Sequence, residues 1–130
     1  MFGKLLSVVL LAGSVLLASA GEMRVEKGIG YRSAVTDDYA GKMCVLDVAV
    51  PEQAAGCPVI VWFHGGGLTS GSRELPQALL NGKNIVVGVE YRLSPKVSTE
   101  QIVDDAAAAV AWTFNNISKY GGDTTAIYVA

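Results

Sequence analysis

Two short runs of consecutive apolar residues most constrain what this chain can fold into. Residues 58–63 read PVIVWF and residues 85–89 read IVVGV, without regular alternation between apolar and polar side chains. Such runs are typical of strands that are covered on both faces, as in a parallel sheet between helices. A third run begins at residues 127–129, and a valine-rich stretch at residues 43–50 predicts a further strand that ends at Pro51.

Helical patterns separate these strands. Residues 74–81 predict a short helix that stops at Gly82. A longer helix is expected to begin after Ser98, whose spacing to Gln101 makes a capping box, and to stop at Gly121. Its core-facing side is predicted from apolar residues at helical spacing, namely Val103, Ala107, Val110, Phe114 and Ile117. The order of strands and helices predicts an α/β fold whose sheet is mainly parallel and flanked by helices.

The first twenty residues are predicted to be a secretory signal peptide. A short basic start with Lys4 precedes an apolar run at residues 5–17, and small residues follow at positions 18–20. The run is short against the roughly 20 residues that span a bilayer, so a stable membrane anchor is not expected. We therefore expect cleavage after Ala20 and a secreted or periplasmic protein, with residues 21–130 long enough for one small domain.

Charge and cysteines exclude several classes of site. The net charge of −2 gives no basic surface for nucleic acid. Cys44 and Cys57 could pair in an exported protein, but their positions in an expected hairpin between the first two strands do not match, which disfavours a disulfide. Neither has a neighbouring histidine, which disfavours a thiol nucleophile. No residues have metal-ligand spacing, so we predict no metal and no cofactor.

A glycine run follows the first buried strand directly, at residues 64–67 (HGGG). A phosphate loop would need lysine where the chain has Ser-Arg at residues 72–73, and a dinucleotide fingerprint would need glycine in place of Ser70. Three successive glycines can present bare main-chain N–H groups. Donors of this kind, aimed at an ester carbonyl, stabilise the negative charge that develops on its oxygen. A turn that merely leaves the sheet is the alternative.

The glycine run belongs to a series of segments that follow one another along the chain. The segments are VWFHGGG at 61–67, EYRLSP at 90–95, Asp104-Asp105 to Trp112, Asn116-Ile117, YGGD at 120–123 and IYVA at 127–130. This ordered set resembles the α/β-hydrolase superfamily, in its esterase and lipase branches related to hormone-sensitive lipase and the carboxylesterases. The resemblance covers roughly residues 42–130, and the ordered set is more specific than any one segment.

The resemblance implies roles for the glycine run. The main-chain N–H groups of Gly66 and Gly67 would form an oxyanion hole, and His64 and Gly65 would support the loop. His64 is the only histidine of these 130 residues, and the resemblance assigns it to the loop and not to the catalytic base. Leu68 and Tyr91 are expected as walls of the substrate pocket.

Residues of the long helix and its surroundings have structural interpretations. Arg92 is expected to pair with Asp104 or Asp105 and to pin the following loop. The two neighbouring aspartates are not expected to face one point, which leaves a paired-carboxylate mechanism unsupported. Trp112 and Phe114 are predicted to serve packing. A glycosylation acceptor pattern at residues 116–118 lies in a predicted helix, which disfavours its use.

In the family, the strand that matches residues 127–130 leads into a Gly-x-Ser-x-Gly elbow that carries the nucleophile, and the acid and histidine follow later. No such elbow occurs in these 130 residues, so the triad is expected beyond Ala130 and the 130 residues alone should not turn over substrate. The resemblance implies serine attack on a small-molecule carboxylic ester through an acyl-enzyme. A non-catalytic binding or adhesion protein, a peptidase, and an acetyl or feruloyl polysaccharide esterase stay open.

Overall fold

The computed structural model describes residues 22–35 and 37–130, so the predicted signal peptide lies outside the described residues. These described residues form five strands and two α-helices. Two short 3-10 helices, at Gln77–Leu79 and Ile117–Tyr120, complete the described structure. The elements are β1 (Met23–Gly30), α1 (Asp38–Met43), β2 (Val45–Pro51), β3 (Cys57–Phe63), β4 (Ile85–Val89), α2 (Thr99–Asn116) and β5 (Gly122–Val129).

The strands form one mixed sheet in the order β1-β2-β4-β3-β5. The half made of β4, β3 and β5 is parallel, as the apolar runs predict. In the other half, β2 runs antiparallel to both β1 and β4. The α/β class, with helices beside the sheet, is therefore confirmed. The sheet is mixed, and its parallel arrangement holds for the β4, β3 and β5 half.

The hairpin expected between the first two predicted strands does not form. β4 inserts between β2 and β3, so those two strands share no ladder although they are consecutive in the predicted order. Cys44 precedes β2 and is buried, and Cys57 begins β3 and is half-buried; both are free thiols. The hairpin prediction was wrong because pairing partners in an α/β sheet are set by crossover connections as well as by proximity along the chain.

The core lies on the three central strands. All five residues of β4 are buried, which confirms the interpretation of residues 85–89 as a strand covered on both faces. Alternating side chains from β2 and β3 join those of β4 in a single aliphatic cluster. Its largest fully buried members on these strands include Leu46, Val48, Val50, Val59, Val61, Ile85, Val87 and Val89.

Gly88 in β4 has a packing reason of its own. A Cβ atom at this position would overlap the main-chain carbonyl oxygen of Glu74, whose segment crosses the strand there. We expect Gly88→Ala to lower the free energy of unfolding of the intact protein by about 1–3 kcal/mol, the usual cost of overpacking. Gly30→Ala, where no atom lies within 4 Å, should change it by less than about 0.5 kcal/mol. Equal values in urea titrations would contradict this explanation.

The predicted capping box of α2 is confirmed. The Ser98 hydroxyl oxygen accepts a hydrogen bond from the main-chain N–H of Gln101 at 3.3 Å, and the Gln101 side chain accepts one from Ser98 N at 3.0 Å. These two bonds satisfy donors that the first turn of a helix leaves without partners. The start of the helix was therefore correctly placed by its sequence signal.

The predicted buried face of α2 is confirmed at Val110 and Ile117, which pack in the core, but was wrong at its other three positions. Val103 and Phe114 are 62% and 51% exposed, so Phe114 does not serve packing in this structure, whereas Trp112 does pack against the core. The fully buried face instead consists of Ile102, Asp105, Ala109 and Thr113. Its polar members have partners: the Thr113 hydroxyl, for example, donates to the Ala109 carbonyl at 2.9 Å. Polar groups with internal partners can occupy a buried helix face at little cost.

Three further elements differ from the predictions. The helix expected at residues 74–81 is reduced to the 3-10 turn Gln77–Leu79. No pattern in the sequence predicts α1, or β1, whose side chains are mostly exposed. Among the residues that the structure describes, no helix is long and apolar enough to cross a membrane.

Candidate active site

The glycine run lies at the carboxyl edge of the parallel strands. β3 ends at Phe63, between the end of β4 and the end of β5. The main-chain N–H of Phe63 donates to the carbonyl of Ala130 at 2.9 Å, which places the end of β5 beside the start of the glycine run. In open α/β sheets this edge is where ligand sites are built.

His64 is fixed on three sides. Its Nδ1 atom lies 2.7 Å from the carbonyl oxygen of Gly65, and its Nε2 atom lies 2.9 Å from Oε1 of Glu90. The ring of Tyr91 stacks on the imidazole with centroids 4.4 Å apart, and the Tyr91 hydroxyl donates to the His64 carbonyl at 2.6 Å. Burial, reinforced by the Glu90 charge, raises the pKa of Tyr91, so its hydroxyl stays a donor. His64 is thus held within the protein.

The peptide groups that follow Gly65 and Gly66 are each held in place by contacts to their carbonyl oxygen. The Gly65 carbonyl faces His64, and because the following peptide bond is trans and planar, the N–H of Gly66 points to the opposite side. The Gly66 carbonyl accepts from the main-chain N–H groups of Thr69 and Ser70, at 3.2 Å each, and from both hydroxyls. The N–H of Gly67 therefore points away from those residues.

Within the described part of the chain, neither of these N–H groups, on Gly66 or Gly67, donates a hydrogen bond. Both glycines are exposed, so the two N–H groups are open to a ligand from solution. Two neighbouring main-chain donors, each aimed by a fixed carbonyl, can donate together to an oxygen atom that carries negative charge.

The loop conformation requires glycine at two of the three positions. Gly66 has φ +127° and Gly67 has φ +62°, and a Cβ atom on Gly66 would overlap the Ser70 carbonyl oxygen. Gly65 has no positive φ, and no atom lies within 4 Å of where its Cβ would be. Its contribution to the loop is the carbonyl oxygen that faces His64.

The two residues expected as pocket walls have different surroundings. Leu68 is 38% exposed, and its carbonyl accepts from the N–H of Ser94, which ties the glycine loop to the segment after β4. Tyr91 is buried beneath His64 and supports the loop from inside. A pocket wall at either residue stays a prediction. A separate surface cavity of about 570 Å³ lies between the segment after β1 and α2, lined in part by Arg32 and Trp112.

A charged chain behind His64 was missed by sequence reasoning. Oε2 of Glu90 accepts from the main-chain N–H of Arg73 at 3.1 Å. Arg73 Nε lies 2.9 Å from Oδ1 of Asp47 as an ion pair, although the angle is outside hydrogen-bonding geometry. The same Asp47 oxygen accepts from the N–H of Gly28 in β1. The sequence signal for this row of charged residues was the position of Glu90 beside Tyr91, in the EYRLSP segment at residues 90–95.

Of the two aspartates predicted to pair with Arg92, the structure shows Asp105 as its partner. The guanidinium donates to both carboxylate oxygens, at 2.9 and 2.8 Å, and the Arg92 main-chain N–H donates as well. Arg32 donates to Asp105 at 2.6 Å and to Asp104 at 2.7 Å. The expectation that the two aspartates cannot face one point was wrong, because a third residue, Arg32, reaches both carboxylates.

Asp105 is fully buried and charged. Burial acts to raise the pKa of Asp105, but hydrogen bonds from Arg92 and Arg32 outweigh it and leave that pKa below its ordinary value. The carboxylate also lies 3.6 Å from the Cys44 sulfur, whose pKa is raised by burial. In the described ranges no group of His, Cys, Asp and Glu is arranged to hold a metal ion.

Comparison with known proteins agrees with this geometry. A family model described as the alpha/beta hydrolase fold matches residues 60–130, more than half of the chain. The chain belongs to the α/β-hydrolase family. The matched region contains the glycine run, β4, α2 and β5 of this hydrolase chain, which are the elements that build the candidate site.

Individual relatives are esterases. Carboxylesterase NlhH of Mycobacterium tuberculosis is 36% identical over 78 residues, which is 56% of this hydrolase chain and 24% of that protein. Esterase LipI of the same organism is 35% identical over 85 residues, or 62% of this chain and 26% of that protein. The chain therefore spans about a quarter of the length of these curated relatives.

Solved structures share the fold. Esterase B of Lactobacillus rhamnosis superposes with a TM-score of 0.71 at 23% identity, over 82% of this hydrolase chain and 34% of that chain. An esterase of Pyrobaculum calidifontis superposes with a TM-score of 0.60 at 28% identity, over 82% of this chain and 34% of that chain. The first likeness concerns the fold alone.

Proposed function

We propose that the intact protein is a carboxylic ester hydrolase with a serine nucleophile, and that Gly66 and Gly67 form its oxyanion hole. The observation that carries the proposal is the pair of main-chain N–H groups without acceptors at the carboxyl edge of β3. The names of the relatives, a carboxylesterase and an esterase, point to the same class of substrate.

The chemistry follows from what such donors do. A serine oxygen attacks the ester carbonyl carbon, the carbonyl oxygen becomes an oxyanion, and the N–H groups of Gly66 and Gly67 stabilise its charge. The alcohol then leaves, and water releases the acid from the acyl-enzyme. Because the donors are already aimed by their own peptide carbonyls, little reorganisation is needed when the charge develops.

The nucleophile is proposed to follow Ala130 in the intact protein. The hydrogen bond from Phe63 N to the Ala130 carbonyl directs the chain after β5 toward His64 and the glycine loop. A serine there lies close to the two donors, and the N–H of the residue after it supplies a third. The acid and the histidine follow later, so residues 21–130 alone are proposed to be inactive.

Substrate labelling tests this proposal. Intact protein should hydrolyse p-nitrophenyl butyrate and should be inactivated by a fluorophosphonate, with one label per protein on a serine beyond Ala130, because only a serine beside a base and an oxyanion hole reacts in this way. Peptide mass mapping locates the label, and heat-denatured protein is the control. Absence of both hydrolysis and labelling would contradict the proposal.

A secreted or periplasmic location is proposed from the leader sequence. The basic start, the apolar run and the small residues at positions 18–20 match a cleavable signal. Exported protein should begin at Gly21 when its N-terminus is sequenced. Mature protein that retains Met1 and stays in the cytoplasm would contradict the proposed location without affecting the proposed activity.

A further inference from the structure

Both ring nitrogens of His64 face oxygen atoms. Nδ1 lies 2.7 Å from the Gly65 carbonyl oxygen, which can only accept, so Nδ1 must carry a proton. Nε2 lies 2.9 Å from Oε1 of Glu90. A second proton must therefore lie between Nε2 and Oε1, since otherwise a nitrogen lone pair would face a carboxylate lone pair inside the protein.

The surroundings decide which of the two atoms holds that proton. The Glu90 carboxylate accepts from the Arg73 main-chain N–H at 3.1 Å, and the Arg73 guanidinium lies 4.0 Å from the same oxygen, Oε2. Both contacts stabilise the ionised carboxylate. The Tyr91 ring stacks on the imidazole at 4.4 Å with an interplanar angle of 8°, an arrangement that favours a positively charged ring. The proton belongs on Nε2.

Placing the proton on Nε2 makes His64 and Glu90 a pair of opposite charges inside the protein. The side chains of His64 and Glu90 are 3% and 8% exposed. A buried charge needs a partner, and here each ion has one. Among the described residues, the charged group that faces the pair is Arg73, on the loop after β3, and it is itself paired with Asp47 of β2. The Tyr91 ring, which covers the imidazole, is neutral because the pKa of its hydroxyl is raised by burial.

We propose that His64 is an imidazolium whose two N–H groups position the oxyanion loop, one donating to Glu90 and the other to the Gly65 carbonyl. Since the Gly65 carbonyl and the Gly66 N–H belong to one planar trans peptide, fixing the first aims the second. His64, Glu90 and Arg73 are then positioning residues that act through this peptide. The catalytic part of the inference rests on the proposed function.

Nitrogen NMR of the ring tests the protonation directly. In intact ¹⁵N-histidine-labelled protein at pH 7, both His64 ring nitrogens should show the signature of protonated nitrogens, and each should be coupled to a proton. The resonances are assigned by their loss in His64→Asn. One bare, unprotonated ring nitrogen in the wild-type protein would overturn the proposal. This measurement requires no substrate, and the one variant that it uses serves only to assign the resonances.

A matched pair of amides tests the positioning role. An asparagine amide places its N–H near the site of Nδ1, whereas a glutamine amide places it near Nε2. His64→Gln should therefore lower kcat about 100-fold with KM changed by less than about threefold, as for loss of one oxyanion donor. His64→Asn should retain kcat to within about tenfold. Equal losses in two folded variants would overturn the role assigned to the Nδ1 proton.

The two proposals fail in different ways. Protein that neither hydrolyses esters nor is labelled by a fluorophosphonate, but shows two protonated His64 nitrogens, contradicts the proposed function and leaves the imidazolium in place. Active esterase with a neutral His64 ring contradicts the imidazolium alone. Should one amide variant fail to fold by circular dichroism, the other assigns the His64 resonances, and the wild-type nitrogen spectrum decides.

Discussion

Replacement of Asp105 by alanine is expected to lower the free energy of unfolding of the intact protein by about 3–5 kcal/mol, the usual cost of removing one partner from a buried charged network. The carboxylate is fully buried and accepts hydrogen bonds from both Arg92 and Arg32. Without it, Arg92, whose side chain is 9% exposed, would keep a charge that has neither water nor a partner. Urea unfolding followed by tryptophan fluorescence measures the change.

The neighbouring aspartate supplies a matched control. Asp104 pairs with the same Arg32, but its side chain is 69% exposed. Asp104→Ala should therefore change the free energy of unfolding by less than about 1 kcal/mol, as is usual for exposed ion pairs. Similar losses of unfolding free energy in the two variants would show that the burial of Asp105 does not account for its contribution to stability.

The pH dependence of stability in wild type and in Asp105→Asn gives a second measurement. The folded state lowers the pKa of Asp105, so its contribution is present above the ordinary aspartate pKa of about 3.9 and is lost as pH falls through the folded value. The difference in unfolding free energy between wild type and Asp105→Asn should accordingly shrink below about pH 4. A difference that grows in acid would contradict the sign of the shift.

Replacement of Gly66 by alanine is expected to lower kcat for ester hydrolysis about 10²–10³-fold with little change in KM, the range found when one oxyanion donor is lost. An alanine Cβ would overlap the Ser70 carbonyl oxygen, and the φ of +127° is unfavourable for any residue with a side chain. The loop must shift to relieve both, which moves the N–H of Gly66 out of line.

Gly65 is the control for that substitution. Its φ is not positive and no atom lies within 4 Å of its Cβ position, so Gly65→Ala should leave the loop conformation and the melting temperature unchanged. Steady-state kinetics on p-nitrophenyl butyrate compares the two variants. A folded Gly66→Ala protein with the kcat of the wild type would contradict the role of Gly66 in the oxyanion hole.

The strands could be predicted where burial on both faces determines the sequence. The run at residues 85–89 predicts β4 to the residue, because a strand with two covered faces needs no alternation. The run at residues 58–63 locates β3 almost as well, although only Val59 and Val61 of that strand are fully buried and its other face is half-covered. β1 is an edge strand that pairs only with β2 and carries mostly exposed side chains. Little of its sequence is determined by the core, so no pattern identifies it.

The helix face and the charged networks could not be predicted for a related reason. A search for apolar spacing selects Val103 and Phe114, whereas the structure buries Asp105 and Thr113, whose polar groups find partners only after folding. His64 and Glu90 are 26 positions apart in the chain, and Arg32 and Asp105 are 73 apart. Residues so far apart in the chain form no recognisable sequence motif, whereas the consecutive glycines of the loop do.

The strand order has a consequence for how the protein is made. β2 and β3 leave the ribosome before β4, yet each pairs with β4 and not with the other. At about 5–20 residues synthesised per second, both strands wait on the order of seconds for their shared neighbour. During that interval the edges of β2 and β3 that later pair with β4 are open to other chains, so we expect the nascent polypeptide to need a chaperone until residues 85–89 emerge.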